Sequence, residues 1–203
     1  MADAPRIPPL PREAWTDEAR AVFGYFEGDK AREGGSRSNL IMTLANHPRF
    51  AMAYLGFGRM LLEQSSLSDW TRELLTLRVA WLGRCDYEWV NHETPGRTAG
   101  MTDEQIAAIK AGPEAWTWPG PDRAVLEAVD QLIAGGRIDD ATWATLSDSY
   151  DTHQLMELVF TIGHYHTLAW AADVFGIQVD GSHAENLRLY IENRDKQRAE
   201  AAG

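Results

Sequence analysis

Four side chains able to do chemistry fall close together in this chain: Cys85, Glu88, Trp89 and His92. At about 100° per residue they share an arc of roughly 100° on one helix. A thiol, a carboxylate, an indole and an imidazole on a single face is a set that packing alone does not require. An imidazole changes charge near neutral pH, and a carboxylate one turn earlier can reach one of its nitrogens. The Glu88–His92 spacing therefore predicts general acid/base work, with His92 as proton donor and Glu88 orienting or recharging it. Cys85 stands near a helix start, where a thiol pKa is lowered, and is expected to line the site beside Trp89. The same residues also suit plain structure. Glu88 and His92 would make a surface pair worth a few tenths of a kcal/mol, Glu73 could pair with Arg72 or Arg78, and Cys85 could simply pack.

Two more histidines, His164 and His166, invite a metal reading. Residues two apart on a helix point about 200° away from each other, so they cannot chelate one ion together. His166 falls on the stripe Leu155, Val159, Ile162 and Ala169 and is the better candidate to reach the site. No metal and no cofactor are expected. There is no Gly-x-Ser-x-Gly elbow, P-loop or dinucleotide glycine fingerprint.

These groups must be positioned by helices. Trp70, Leu74, Leu77 and Trp81 recur as one apolar stripe, with Glu73 at its edge about 60° from Trp70. Ser68 is a good N-cap for that helix, Gly83 weakens it, and Cys85 opens the next, which Pro95 should end or kink. Before this stretch, residues 1–12 hold four of the nine prolines and read as an extended arm lying across a neighbouring subunit. Helices are expected at 16–26, with Thr16 as cap, and at 48–64, separated by a mobile glycine-rich loop at 28–38. After it, Thr102 to Gln105 is a capping box. Helices follow at 122–134 and 139–150, then a long one from 152 to 175, apolar nearly all round and so central, and a polar one over 186–202. No run alternates as a strand does. The chain reads as all-α, with about eight helices in three parts: an arm and first helix (1–35), a helical domain (36–180) and a C-terminal helix (181–203).

Composition narrows the function. The 203 residues suffice for one sizeable core. The net charge of −11 argues against nucleic acid and anionic membranes as partners. Eight tryptophans point to wide aromatic packing, in the core or between subunits, and a homo-oligomer (dimer, trimer or hexamer) is expected. The single cysteine rules out an internal disulfide. With no apolar run of signal or membrane length, a cytoplasmic protein acting on a small molecule, a carboxylate in particular, is the plain expectation.

The spacing Glu73, Cys85, Glu88, His92 within RELLTLRVAWLGRCDYEWVNH resembles the carboxymuconolactone decarboxylase family. So do ANHPRFAMAYLGFGRMLL before it and QLMELVFTIGHYHTLAWAADVFGI after it. That family shares a helical-bundle fold with alkylhydroperoxidase D, whose motif is Glu…Cys-x-x-Cys-x-x-x-His. Glu88 stands here where the peroxidase branch has its second cysteine, so a thiol cycle cannot close within one chain. The resemblance implies a cofactor-free carboxy-lyase of aromatic catabolism acting on a carboxylated lactone. Glu73 would complete the relay, while Arg78, Trp89, Cys85 and His166 would line the pocket. A thiol-dependent peroxidase using Cys85, or a hydrolase or isomerase in the same pocket, is the alternative.

Overall fold

The structure is a computed structural model that describes residues 4–181. Every regular element among them is helical: ten α-helices, eight of seven residues or more, and a short 3-10 turn at Arg12–Ala14. The fold is all-α, as the patterning predicts, and a helical bundle, as the family resemblance implies. The polar helix expected at 186–202 lies outside the described residues. The described residues form two compact units, one of 4–56 together with 172–181, the other from Phe57 to Ala171.

In the first unit, α1 (Asp17–Glu27) begins at Thr16, whose hydroxyl accepts from the Ala19 N–H. It buries Ala19, Val22 and Phe23 in a cluster with Ile41 and Leu44 of α3 (Asn39–Leu44) and Ala51 and Leu55 of α4 (Pro48–Glu63). The stretch read as a mobile loop contains a helix, α2 (Asp29–Gly34). It forms because Ala31 is buried in that cluster and the Trp15 ring covers Gly35 so closely that a Cβ there would lie 2.5 Å from it. The proline-rich arm binds its own chain: Arg6 and Ile7 N–H both donate to the Phe175 carbonyl, and Leu10 N–H donates to that of Met42.

The second unit is built on α5 (Asp69–Leu82), which packs against α6 (Asp86–Thr98), α7 (Asp103–Ala111) and α8 (Gly120–Gly135). Ser68 caps it by accepting from Thr71 N–H. All ten residues from Thr71 to Ala80 are buried, far more than the single stripe its sequence shows. α6 runs through Pro95 to Thr98, against expectation. Pro95 forfeits one helical bond, but its own carbonyl takes the Ala99 N–H at 2.8 Å. Gly96 packs so tightly on α5 that a Cβ would sit 3.2 Å from Leu77. The Thr102–Gln105 capping box opens α7 as read. α8 packs on α9 (Asp140–Ser149), and α10 (Thr152–Phe175) meets α6 through Tyr165 on His92 and the end of α5 through Ala169 on Gly83. α10 is not buried all round. Met156, Phe160 and Trp170 stand in solvent on one face, and Leu158, Ile162, Tyr165 and Ala169 are buried on the other. No helix among the described residues is long and apolar enough to cross a membrane.

Candidate functional site

The junction of α5 and α6 sets the site. Cys85 N–H donates to the Ala80 carbonyl (2.9 Å) and Arg84 N–H to that of Trp81 (3.2 Å), closing α5 in a Schellman turn. Arg84 holds the left-handed position (φ 53°) that glycine usually fills. Gly83, one residue earlier, is used for space instead: a Cβ there would meet that of Ala169 at 3.1 Å. Cys85 is thus both the end of that turn and the N-cap of α6, buried beside the helix start.

From α6, His92 reaches back to α5. Its Nδ1 lies 2.7 Å from Oε2 of Glu73, a carboxylate only 2% exposed. A carboxylate accepts and cannot donate, so Glu73 fixes the proton on Nδ1 and leaves Nε2 for a reacting group. The other Glu73 oxygen lies 3.4 Å from the Arg72 guanidinium, which also binds Asp69 at 2.9 Å. The partner of His92 is therefore Glu73 rather than Glu88. Glu88, 1% exposed, has no hydrogen-bond partner on either oxygen, and burial pushes its carboxyl well above the ordinary range.

A residue the sequence did not single out closes the group. The Tyr165 ring meets the His92 ring edge to face, centroids 5.0 Å apart and planes at 87°. Burial, and then the charges of Glu73 and Glu88, push its hydroxyl well above the usual phenol range, so it stays neutral. The signal was present but read one residue out of step. Leu158, Ile162, Tyr165 and Ala169 form the buried stripe, whereas the stripe chosen from sequence passed through His166. His166 instead packs on Trp170, rings 4.2 Å apart, and partial burial lowers its pKa. His164 lies between Phe57 and Tyr165, and burial pulls it down to about 4.

The other expected residues are placed elsewhere. Arg78 binds both oxygens of Asp130 (2.6 and 2.7 Å) and the carbonyls of Ile109 and Lys110, so it ties α5 to α7 and α8. Trp89 is buried against Trp81 with Lys110 Nζ 4.7 Å from its ring centre. A cavity of about 470 Å³ opens beside α8 and α9, lined by Glu114, Glu127, Asp130 and Asp139 and by none of the expected site residues. Its carboxylates are engaged with Arg123, Arg78 and the start of α9. Among the described residues no three His, Cys, Asp or Glu side chains converge as a metal site.

Residues 48–131, which include α5, α6 and the Glu73–His92 pair, match the carboxymuconolactone decarboxylase family. The uncharacterized protein YdfG of Bacillus subtilis strain 168 is 28% identical over 107 residues, 52% of this chain and 73% of that protein. A peroxidase-related protein from Silicibacter sp. TM1040 superimposes with a TM-score of 0.72 at 16% identity, over 89% of this chain and 95% of that one. The debrominase Bmp8, in a variant with one cysteine changed to alanine and bound to 2,3,4-tribromopyrrole, gives 0.71 at 14% identity, over 95% and 99%.

Proposed function

We propose that this chain, a member of the carboxymuconolactone decarboxylase family through residues 48–131, is a cofactor-independent enzyme that moves protons on a small carboxylated compound of aromatic catabolism. The observation that carries this reading is the His92 Nδ1–Glu73 bond, a buried carboxylate fixing an imidazole whose second nitrogen is left for a reacting group. In the reaction the family name suggests, the bond to the carboxylate breaks and carbon dioxide leaves. Its electron pair flows into a conjugated lactone carbonyl, and the resulting dienolate takes a proton at carbon. His92, doubly protonated, supplies that proton from Nε2; Glu73 stabilises the imidazolium, and the buried Glu88 carboxyl stands by as a second acid. The enzyme acts as a homo-oligomer.

A second reading draws on Cys85 at the start of α6, where helix N–H groups favour a thiolate. The debrominase of the same fold was crystallised with a cysteine replaced by alanine and a small molecule bound. Used on hydroperoxides, Cys85 would need an external thiol, because the chain has no second cysteine. One comparison separates the two: carboxy-lyase turnover of carboxylated lactones and hydroperoxide turnover with added thiol, for wild type, His92→Ala, Glu73→Gln and Cys85→Ser. The acid/base reading expects His92→Ala to lose ~10²–10⁴-fold in lyase rate, and Cys85→Ser less than about tenfold. Wild-type lyase rates in His92→Ala would end it, and a thousandfold peroxidase loss in Cys85→Ser would install the thiol reading.

A further inference from the structure

We infer that Tyr165 is a positioning residue for His92, acting through its ring and not through its hydroxyl. The inference rests on the acid/base reading above and deepens it. One hydrogen bond, Nδ1 to Glu73, anchors the imidazole at a single point and leaves it free to swing about that contact. The Tyr165 ring supplies the second constraint. It stands perpendicular to the imidazole at contact distance and is itself held by burial and by the His164 ring on another side, 5.4 Å between centres. Two constraints from two other helices, α5 and α10, fix both the tautomer and the plane of a side chain carried by α6, which aims Nε2 in one direction. The hydroxyl meets the Thr76 side chain and bonds to neither neighbouring carboxyl. Glu88 takes no hydrogen bond on either oxygen, and Glu73 is already shared between His92 and Arg72.

Ring and hydroxyl separate by substitution. Tyr165→Phe keeps the wall and removes the oxygen; Tyr165→Leu removes the wall; Tyr165→Met, unbranched and longer, runs alongside should the leucine variant fail to fold. In the ¹⁵N spectrum of the His92 ring taken where the imidazole is neutral, wild type and Tyr165→Phe should show one fixed tautomer, with the proton on Nδ1. Tyr165→Leu or Tyr165→Met should move the signals toward tautomer averaging. On the substrate turned over, Tyr165→Phe should stay within about twofold of wild type. The leucine or methionine variant should lose ~10²-fold in kcat with little change in KM, the scale of a misplaced reacting group. A fixed tautomer in the wall-less variants overturns the inference, as does a phenylalanine variant as impaired as they are. If His92→Ala keeps its activity, the acid/base reading fails, while the ring spectra still decide whether Tyr165 positions the imidazole.

Discussion

Glu88 is a carboxyl sealed from water with neither oxygen hydrogen-bonded, so its proton is linked to folding. Its folded pKa lies well above the ordinary 4.5 because burial disfavours the anion. Below pH 4.5 both folded and unfolded chains carry the proton and its full contribution to stability is present. As pH rises above that value the unfolded chain ionises while the folded one does not, so stability is lost until the folded pKa is passed. Glu88→Gln, neutral at every pH, should remove this dependence. Relative to the variant, wild type should weaken by up to about 1.4 kcal/mol for each pH unit above ~4.5, measured by urea unfolding at about pH 5 to 8. Parallel curves would show that Glu88 ionises freely. At this scale the sequence pairs His92 with Glu88, but its hydrogen-bond partner is Glu73. A helical wheel gives directions within α6, whereas the partner of His92 is decided by where α5 crosses it.

The elements were legible wherever a side chain closes its own helix end. Thr16, Ser68 and Thr102 do so locally, and each caps the helix it was expected to cap. What was not legible depends on distant contacts. α2 exists because Ala31 and Gly35 meet a core assembled from other segments, and α6 passes Pro95 because Gly96 seats on Leu77. Arg78 belongs to this class. Read from sequence as a pocket residue, it serves as a fork that holds Asp130 and two carbonyls at the end of α7. A lysine keeps the charge but cannot make that planar, four-bonded contact. Arg78→Lys should therefore cost ~2–4 kcal/mol, since buried acceptors lose their donors. Chemical unfolding would register this, and a loss under about 0.5 kcal/mol would refute the role.

For the whole molecule, the apolar face of α10 is the feature that a lone chain does not explain. Met156, Phe160 and Trp170 are each more than half exposed, with Gly163 and Thr167 between the two rings, and Phe57 lies beside Phe160. The spacing 156, 160, 163, 167, 170 alternates four and three, the repeat by which one helix seats on another. The chain should self-associate through this face. Sedimentation at micromolar concentration should give an oligomer for wild type and a smaller species for the Phe160→Glu, Trp170→Glu double variant. A monomeric wild type would contradict it. The three-part division of the chain expected from sequence followed composition, and the compact units follow contacts that bring residues 172–181 to those up to Gly56. Very little of the site meets water. Glu73, Glu88 and Tyr165 are all buried, and His92, with 15% of its side chain exposed, is the one member of the group that solvent touches appreciably. A ligand that covers that edge closes the door on three acidic groups at once. What lies behind it would then be cut off from the medium, and any proton passed to the ligand would have to come from His92 or Glu88, the two groups proposed as acids.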